Sequence, residues 1–217
     1  MCKEPTADAC SCACANAPLK VGVLISGSGS NLQAIIDAIG AGKLNAQVAC
    51  VVSSRPDAYG LERAKQAGIP TLALDRATYA DRLAADRLIV QTLQDAGVEY
   101  VAMAGYMRMV TGVILDAYPN RVINLHPALL PSFKGAHAIE EAFEYGVKVT
   151  GVTVHFADQT YDTGAIIAQE PVVVREDDTL ESLEERIHAT EHELYPRVLQ
   201  LVAQGKVAVE DGRVKVG

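Results

Sequence analysis

The amino-acid sequence predicts an α/β fold, with one twisted, mostly parallel sheet and helices on both of its faces. Short apolar runs alternate along the chain with segments in which apolar residues recur every three or four positions, the pattern of strands alternating with amphipathic helices. Glycines stand where several of the helical segments should end. A length of 217 residues is enough for one good core, so no second domain is required.

The first strand is predicted over residues 19–26 and leads into the loop 27–31, Gly-Ser-Gly-Ser-Asn, followed by a helical pattern. A strand, a glycine loop and a helix form a phosphate-binding layout, in which Ser30 or Asn31 would cap the helix. A dinucleotide fingerprint would require glycine where Leu32 stands. This loop therefore favours a monophosphate, and a plain strand-to-helix turn is the alternative.

The alternation of strands and helices continues through the first half of the chain. The predicted strands span residues 47–53, 71–74 and 100–104, and the predicted helices span residues 60–67 and 79–96, which Gly68 and Gly97 follow. Strands joined in this way run parallel with right-handed crossovers, and ligands bind at their carboxyl ends. The loops after the first, fourth and fifth strands are therefore expected to share one edge.

The fifth strand, residues 122–126, carries two polar side chains two positions apart, Asn124 and His126. Side chains alternate between faces along a strand, so these two point the same way while Ile123 and Leu125 pack on the other face. Pro127 ends the ladder. An amide donor beside a titratable ring suits a developing oxyanion. The alternative is that Asn124 satisfies a turn and His126 bonds to a backbone carbonyl.

Two loops could complete a site at this edge. The loop 105–110 is apolar with one arginine and could line a pocket for a flat ring, or could simply pack beneath the sheet. After a helix over residues 138–145 and a strand over residues 150–156 comes the polar loop 158–164, in which Asp162 leads a turn. The apolar strand 166–174 follows it.

The longest predicted helix spans residues 180–204, and Glu191 falls on its apolar stripe. A carboxylate in that position needs either a partner or a ligand, because an unpaired buried charge is costly. Residues 207–216 read as a hairpin around Asp211-Gly212 that covers an edge of the sheet.

Composition narrows the class of protein. The formal charge of −8 and the pI near 5.1 argue against nucleic acid as a general partner, and no apolar run reaches the roughly 18 residues that a membrane helix needs. Four of the five cysteines lie within residues 1–14 and cannot staple a fold, so we expect a cytoplasmic protein. Residues 1–18 are predicted to be a disordered Cys-rich tail before a domain over residues 19–217. Its alternating cysteines could bind a soft metal, although their spacing is not that of a zinc finger.

Taken together, the segments from about residue 20 to residue 201 resemble the phosphoribosylglycinamide formyltransferase family, the folate-dependent enzymes of purine synthesis. The resemblance rests on residues 24–33, 60–64, 104–108, 123–131, 154–156 and 191–196. The Asn-x-His-Pro-x-Leu-Leu-Pro segment alone is shared by formyl-folate transferases and hydrolases in general. The glycine loop and residues 134–137, Lys-Gly-Ala-His, favour the glycinamide branch. The loop Asp-Thr-Gly-Ala departs from the Asp-Gly-Gly-Pro of some relatives.

The resemblance implies a Rossmann-like fold with an added antiparallel strand region near the C-terminus, and it assigns roles by matching position. The implied catalytic residues are Asn124, His126 and Asp162. The implied substrate-binding residues are Gly29, Ser30, Asn31, His188, Ala189, Thr190 and Glu191. The implied folate-contacting residues are Arg82, Met107, Arg108, Met109, Val110, Asn124, Asp158, Gln159, Thr160, Tyr161 and Asp162.

The implied reaction transfers a formyl group from 10-formyltetrahydrofolate to the amine of 5-phosphoribosylglycinamide, without a metal. Asn124 and a protonated His126 would hold the formyl oxygen. Asp162 would raise the pKa of His126 by a unit or more, because a carboxylate about 4 Å away offers up to roughly 4 kcal/mol at an effective dielectric near 20. A dinucleotide-dependent oxidoreductase and a non-catalytic ligand-binding protein are the alternatives. The sequence leaves open a homo-oligomer and the number of glutamates on the preferred folate.

Overall fold

The structure, a computed structural model, describes residues 17–217. The predicted Cys-rich tail and its metal-binding alternative therefore lie outside the described residues, apart from residues 17 and 18. The strands are β1 Leu19–Ile25, β2 Ala46–Ser53, β3 Thr71–Ala73, β4 Tyr100–Met103, β5 Val122–His126, β6 Val149–Phe156, β7 Ile166–Val173, β8 Val207–Glu210 and β9 Arg213–Val216. The helices are α1 Ser30–Gly40, α2 Gly60–Gln66, α3 Arg82–Asp95, α4 Gly112–Ala117, α5 Ala138–Tyr145 and α6 Leu180–Ala203.

Seven strands form one sheet in the order β3-β2-β1-β4-β5-β6-β7. The first five strands in this order, β3, β2, β1, β4 and β5, run parallel to one another. The strand β6 pairs antiparallel with both β5 and β7. The predicted fold class, a mostly parallel Rossmann-like sheet with an antiparallel region toward the C-terminus, is confirmed. The chain leaves β1 toward one edge and later returns to β4 on its other side, so the direction of winding reverses between β1 and β4.

The sheet is buried on both faces, and strand alternation decides which core each residue joins. Val23 and Ile25 of β1 belong to the core packed beneath α1, α2 and α6, whereas Leu24 belongs to the core beneath α3 and α4. In β5, Ile123 and Leu125 face the first of these cores. Asn124 and His126 consequently share the opposite face, as their spacing predicts.

Two helices differ from the sequence prediction. The segment predicted as one helix over residues 79–96 is a short 3₁₀ turn, Thr78–Ala80, followed by α3. Asp81 separates them because its extended backbone places its carboxylate to accept the N–H of Ala84 at 3.0 Å, which is a helix N-cap. The helix α4 was not predicted, because six residues beginning with glycine carry little periodicity.

The hairpin β8–β9 turns at Asp211 and Gly212, both with positive φ, as Asp-Gly predicts. It forms a separate two-stranded sheet whose strand β9 contacts β7, the edge of the large sheet. Val207, Val209 and Val214 pack against the core beneath α6, so the predicted edge cover is confirmed. Within residues 17–217, every helix is too short or too polar to cross a bilayer.

Candidate active site

One cleft of about 860 Å³ opens at the carboxyl ends of β1, β4 and β5. The loops that follow these three strands line it, together with the loop after β6 and one face of α6. The three strands are neighbours in the sheet, so their loops meet where the winding direction reverses. The predicted convergence of the three loops is confirmed.

The backbone of the glycine loop packs closely against the start of α2. Gly29 has a left-handed backbone (φ 70°) and lies so near α2 that a Cβ there would come within 2.6 Å of the Gly60 Cα atom. Gly29 itself is the N-cap of α1, without a side-chain capping bond. The prediction that Ser30 or Asn31 caps this helix is therefore wrong, because only glycine adopts the required conformation without strain. The N–H groups of the first turn of α1 are left without a side-chain cap.

Asn31 instead joins a polar cluster with α6. Its Nδ2 donates to Glu191 Oε2 at 2.9 Å, and His188 Nδ1 lies 3.0 Å from the same oxygen. Glu191 is 4% exposed yet borders the cleft. The partner that a carboxylate on the apolar stripe of α6 was expected to need is supplied by both Asn31 and His188. The hydrogen bond to Glu191 raises the pKa of His188 above its ordinary value, and burial opposes it by less.

The apolar loop after β4 combines both interpretations offered by the sequence. Tyr106 packs beneath the sheet edge, and its hydroxyl lies 2.7 Å from that of Tyr79, whereas Met107 is 68% exposed at the cleft. The N–H of Met107 donates to Ser26 Oγ at 2.8 Å. Arg82 lies outside the cleft and donates to the carbonyl of Met109 at 3.2 Å. Each contact fixes the loop relative to its neighbours.

Asn124 contacts two side chains at the centre of the cleft. Its Nδ2 lies 3.2 Å from His155 Nε2 and 3.4 Å from Asp162 Oδ1. His155 Nδ1 lies 2.8 Å from the Phe156 carbonyl, to which it donates, and its Nε2 faces both the Asn124 amide and, at 3.5 Å, Asp162 Oδ1. His155 thereby fixes the side-chain orientation of Asn124. The second N–H of Asn124 has only the long contact, 3.4 Å, with Asp162 Oδ1.

His126 is buried beneath the cleft and does not border it. Its Nε2–H donates to the Phe133 carbonyl at 2.7 Å, and its Nδ1 lies 3.5 Å from Asp162 Oδ2. Burial is the largest influence on the ring and lowers its pKa below the ordinary value, while the Asp162 carboxylate raises it by less. The expected net rise of a unit or more is therefore wrong for this conformation, because desolvation outweighs the neighbouring charge.

Asp162 is itself kept ionised. Burial is the largest influence and would raise the pKa of the Asp162 carboxyl. The contact with His155, the hydrogen bond from the Gly135 N–H and the charges of the His126 and His155 rings together outweigh burial, so the pKa is below its ordinary value. The Gly135 N–H donates to Asp162 Oδ2 at 3.0 Å. Asp158 starts the same loop by accepting from Thr160 N at 3.0 Å and from the Thr163 hydroxyl, as a turn-forming aspartate does.

Most of the residues assigned by resemblance meet in this one cleft. Those that border it are Gly29, Ser30, Asn31, Met107, Arg108, Met109, Val110, Asn124, Asp158, Thr160, Tyr161, Asp162, His188 and Glu191. Those outside its lining are Arg82, His126, Gln159, Ala189 and Thr190. The location of each residue is thus established, and its role stays a prediction.

Among the residues that border the cleft and received no site role from the sequence are Arg55, Lys134, Gly135 and His155. His155 could have been found, since it pairs directly with Asn124 across β5 and β6 and so shares its face. The other three come from loops whose paths the sequence pattern does not fix. Within residues 17–217, no three His, Cys, Asp or Glu side chains are placed to hold a metal ion.

The chain is similar to known formyl transferases over most of its length. The family model described as formyl transferase matches residues 19–199. The phosphoribosylglycinamide formyltransferase of Bacillus subtilis is 42% identical over 83% of this chain and 93% of its own length. The human trifunctional purine biosynthetic protein adenosine-3 is 43% identical over 90% of this chain. The chain spans only 19% of that human protein.

Among solved structures, glycinamide ribonucleotide transformylase 1 from Symbiobacterium toebii is similar to the chain throughout. It superposes with a TM-score of 0.89 at 50% identity, covering 92% of this chain and 94% of that one. Fold, family model and relatives of matching length agree. The chain belongs to the formyl transferase family, and within it to the phosphoribosylglycinamide formyltransferases.

Proposed function

We propose that this chain transfers the formyl group of 10-formyltetrahydrofolate to the amine of 5-phosphoribosylglycinamide. The observation that carries the proposal is that one cleft brings together two chemically distinct groups of residues. A glycine loop and Glu191 line it together with an apolar loop, Asn124 and Asp162. A volume of about 860 Å³ is in the range that holds small-molecule ligands.

Residues 29–31 bind the phosphate in this proposal. The first turn of α1 directs N–H groups toward the cleft, and the positive end of the helix dipole favours an anion. Glu191 then meets the glycinamide end, since its carboxylate accepts from N–H donors. His188 balances the charge of Glu191, and the intervening Ala189 and Thr190 maintain the helical turn between them.

The loop 107–110 and the loop 158–162 hold the folate in this proposal. Met107 offers an exposed apolar surface to a flat ring, and Asp158 orders the second loop through its turn contacts. Arg82 acts from outside by holding the Met109 carbonyl. The folate supplies the activated formyl carbon, and no residue of this chain has to form a covalent intermediate.

Asn124 stabilises the transferring group. As the substrate amine bonds to the formyl carbon, charge collects on the formyl oxygen, and the second N–H of Asn124 donates to it in place of the long Asp162 contact. His126 contributes once its Nε2–H leaves the Phe133 carbonyl, and Asp162 stabilises its protonated form. The bond from the formyl carbon to the folate nitrogen then breaks. The folate nitrogen gains a proton, which balances the proton that the amine loses.

A spectrophotometric assay tests the proposal, with purified protein, 5-phosphoribosylglycinamide and 10-formyltetrahydrofolate. We expect folate-dependent formyl transfer, and none with formate and ATP as the donor system. Failure to transfer from the folate would refute the proposal. Hydrolysis of the folate without transfer to the amine would also contradict it.

Neither alternative function gains support from an observation. A dinucleotide would need the position of Leu32, whose side chain is fully buried in the core. A ligand-binding module would not require a polar cluster around Asn124. We further infer a cytoplasmic setting, for which the free thiol of Cys50 is the supporting observation.

A further inference from the structure

Two serine hydroxyls are buried side by side where β1 and β2 reach the cleft. The two strands are parallel, and Ile25 lies beside Ser53 at their carboxyl ends. Ser26 and Ser54 are the next residues along each chain, so they are neighbours as well. Their Oγ atoms lie 2.6 Å apart, and each residue is only 4% exposed. The pair therefore joins the start of the glycine loop to the end of β2.

Ser26 also bonds on its other side, to the loop that follows β4. The last backbone bond between β1 and β4 runs from the Ala104 N–H to the Leu24 carbonyl at 2.9 Å. Gly105 then turns the chain with a φ of 74°. After this turn the Met107 N–H donates to Ser26 Oγ at 2.8 Å. The Ser26 side chain thus supplies an acceptor where the backbone ladder has ended.

This hydroxyl is held between two partners. A serine hydroxyl has one donor and two acceptor lone pairs, so Ser26 can accept from Met107 and still bond to Ser54. A backbone N–H that loses its acceptor away from water is costly. The backbone at Met107 is therefore held in one position relative to β1 and β2.

The segment that begins at Met107 is fixed at its far end as well. The Thr111 N–H donates to Asp86 Oδ2 at 2.7 Å, and Asp86 is 3% exposed. Between these anchors, the side chain of Met107 is exposed and the segment lines the cleft. Buried side chains thus set the position of a loop whose own side chains are free to meet a ligand.

We propose that Ser26, oriented by Ser54, is a positioning residue for the folate. The inference rests on the proposed function, in which residues 107–110 hold the folate. Ser26 acts through the Met107 N–H and makes no bond to either substrate. Its loss should therefore weaken folate binding, while 5-phosphoribosylglycinamide, which the next residues of the glycine loop bind, is affected much less.

Ser53 offers a matched control for the same substitution. It is fully buried, and its hydroxyl donates to the Arg55 carbonyl at 2.7 Å and accepts from the Arg55 N–H at 3.2 Å. Ser53→Ala and Ser26→Ala thus each remove a buried hydroxyl with two hydrogen bonds, and only Ser26→Ala frees the loop after β4. Urea unfolding of both variants measures the loss of stability that they share.

Steady-state kinetics then separate positioning from stability. We expect Ser26→Ala to raise the KM for 10-formyltetrahydrofolate about five- to tenfold, the usual effect of one lost hydrogen bond. The KM for 5-phosphoribosylglycinamide and the kcat should stay within about twofold, as for an interaction that serves binding alone. Ser53→Ala should keep all three values. An unchanged folate KM in Ser26→Ala, or an equal rise for both substrates, would overturn the inference and leave formyl transfer standing.

Ser54 provides a second, milder variant, because Ser54→Ala keeps the bond between Ser26 and Met107. We expect it to raise the folate KM about two- to threefold and to add nothing in the Ser26→Ala background, since it acts only through Ser26. If Ser26→Ala does not fold, an unchanged folate KM in Ser54→Ala would overturn the role of the pair.

Calorimetric titration with unformylated tetrahydrofolate measures the position of the loop without turnover. Weaker binding to Ser26→Ala than to Ser53→Ala, together with no formyl transfer by wild type, would support the positioning role and refute the proposed reaction. Equal binding to these two variants would overturn the positioning role, whatever the outcome of the transfer assay.

Discussion

At the residue scale, the proposed reaction depends most directly on the amide of Asn124. The His155 ring orients it at 3.2 Å, so it need not reorganise when charge develops. A donor that is fixed before the reaction stabilises an oxyanion more effectively than water does, because its orientation costs nothing further. In the proposed reaction, the buried His155, 1% exposed, is therefore a positioning residue that acts through Asn124.

The change Asn124→Ala should lower kcat by about 10² to 10³, the usual effect of losing one oxyanion donor. Affinity for 5-phosphoribosylglycinamide should change little, since the residues proposed to bind its phosphate, 29–31, lie on a different loop. Steady-state rates measure the first effect, and a calorimetric titration of that substrate measures the second. A kcat equal to that of wild type would remove Asn124 from the mechanism.

The protonation state of His126 follows from competition between burial and Asp162. Because its pKa in the fold is below the unfolded value of roughly 6.5, the buried neutral ring contributes stability above that pH. This contribution is lost as pH falls toward the pKa of the folded state. His188 behaves oppositely, since its raised pKa stabilises the fold below about 6.5 and the effect is lost as pH rises through the folded value.

The change Asp162→Asn should lower the pKa of His126 further, since it removes the carboxylate that opposes desolvation. Titration of the histidine ring protons by NMR measures this directly. His188 serves as an internal control in the same spectra, because its carboxylate partner is Glu191 and its pKa should stay in place. A His126 pKa that is unchanged or higher in the variant would show that Asp162 does not govern the ring.

At the element scale, the loop between β1 and α1 contains two glycines with different requirements. Gly29 has positive φ and no room for a Cβ, whereas no atom lies within 4 Å of a Cβ at Gly27. Gly29→Ala should therefore cost about 1–3 kcal/mol of unfolding free energy through backbone strain and the approach to Gly60. Gly27→Ala, the matched control, should stay within about 0.5 kcal/mol.

Urea unfolding of both glycine variants checks this expectation, and substrate titration shows whether the phosphate loop is also disturbed. We expect only Gly29→Ala to weaken binding of 5-phosphoribosylglycinamide at temperatures where it is folded. Equal stability of the two variants would mean that the close approach to α2 is not required.

The elements that the sequence predicted well are those with a strong local signal. The strand β5 and the helix α5 begin and end where the pattern placed them. The break before α3 was missed because Asp81 looks like a helical surface residue until its carboxylate is seen to cap Ala84. Other ends shift by one to three residues, where periodicity does not distinguish the last turn from a loop.

The same distinction holds for the site. The glycine loop and the spacing of Asn124 and His126 are local, and the sequence located both. The contact of His126 with the Phe133 carbonyl depends on the path of a long loop, and desolvation of the ring depends on everything packed around it. Neither is encoded in the spacing of residues. The expected rise in the pKa of His126 was therefore wrong, although Asp162 was correctly identified as its charged neighbour.

At the scale of the whole molecule, the site results from the order of the strands. The chain winds outward from β1 to β3, returns to β4 and then continues through β7. The connections after β1 and β4 therefore lead to helices on opposite faces of the sheet, which leaves a crevice at the carboxyl ends of the strands. The helix α6 crosses this region and brings Glu191 to the lining of the cleft.

One turn further along α6, Tyr195 ties the helix to the centre of the sheet. Its fully buried hydroxyl lies 2.9 Å from the Ile123 carbonyl and 3.2 Å from that of Met103, so it reaches the ends of both β4 and β5. A second tyrosine, Tyr118, is 5% exposed, but its hydroxyl has no hydrogen-bond partner among residues 17–217. The two residues allow the same substitution to be compared with and without a hydrogen bond.

The change Tyr195→Phe should cost about 1–2 kcal/mol of unfolding free energy, because two buried carbonyls lose a donor while the packing volume is nearly kept. Tyr118→Phe should be neutral or slightly stabilising, since it removes a buried hydroxyl without a partner. Chemical denaturation of both variants and wild type measures the difference. If the Tyr195 bond also fixes α6 over the cleft, Tyr195→Phe should weaken the binding of 5-phosphoribosylglycinamide through Glu191, seen as a higher KM. Equal stability of the two variants would mean that packing of α6, and not this hydrogen bond, holds the helix across the sheet.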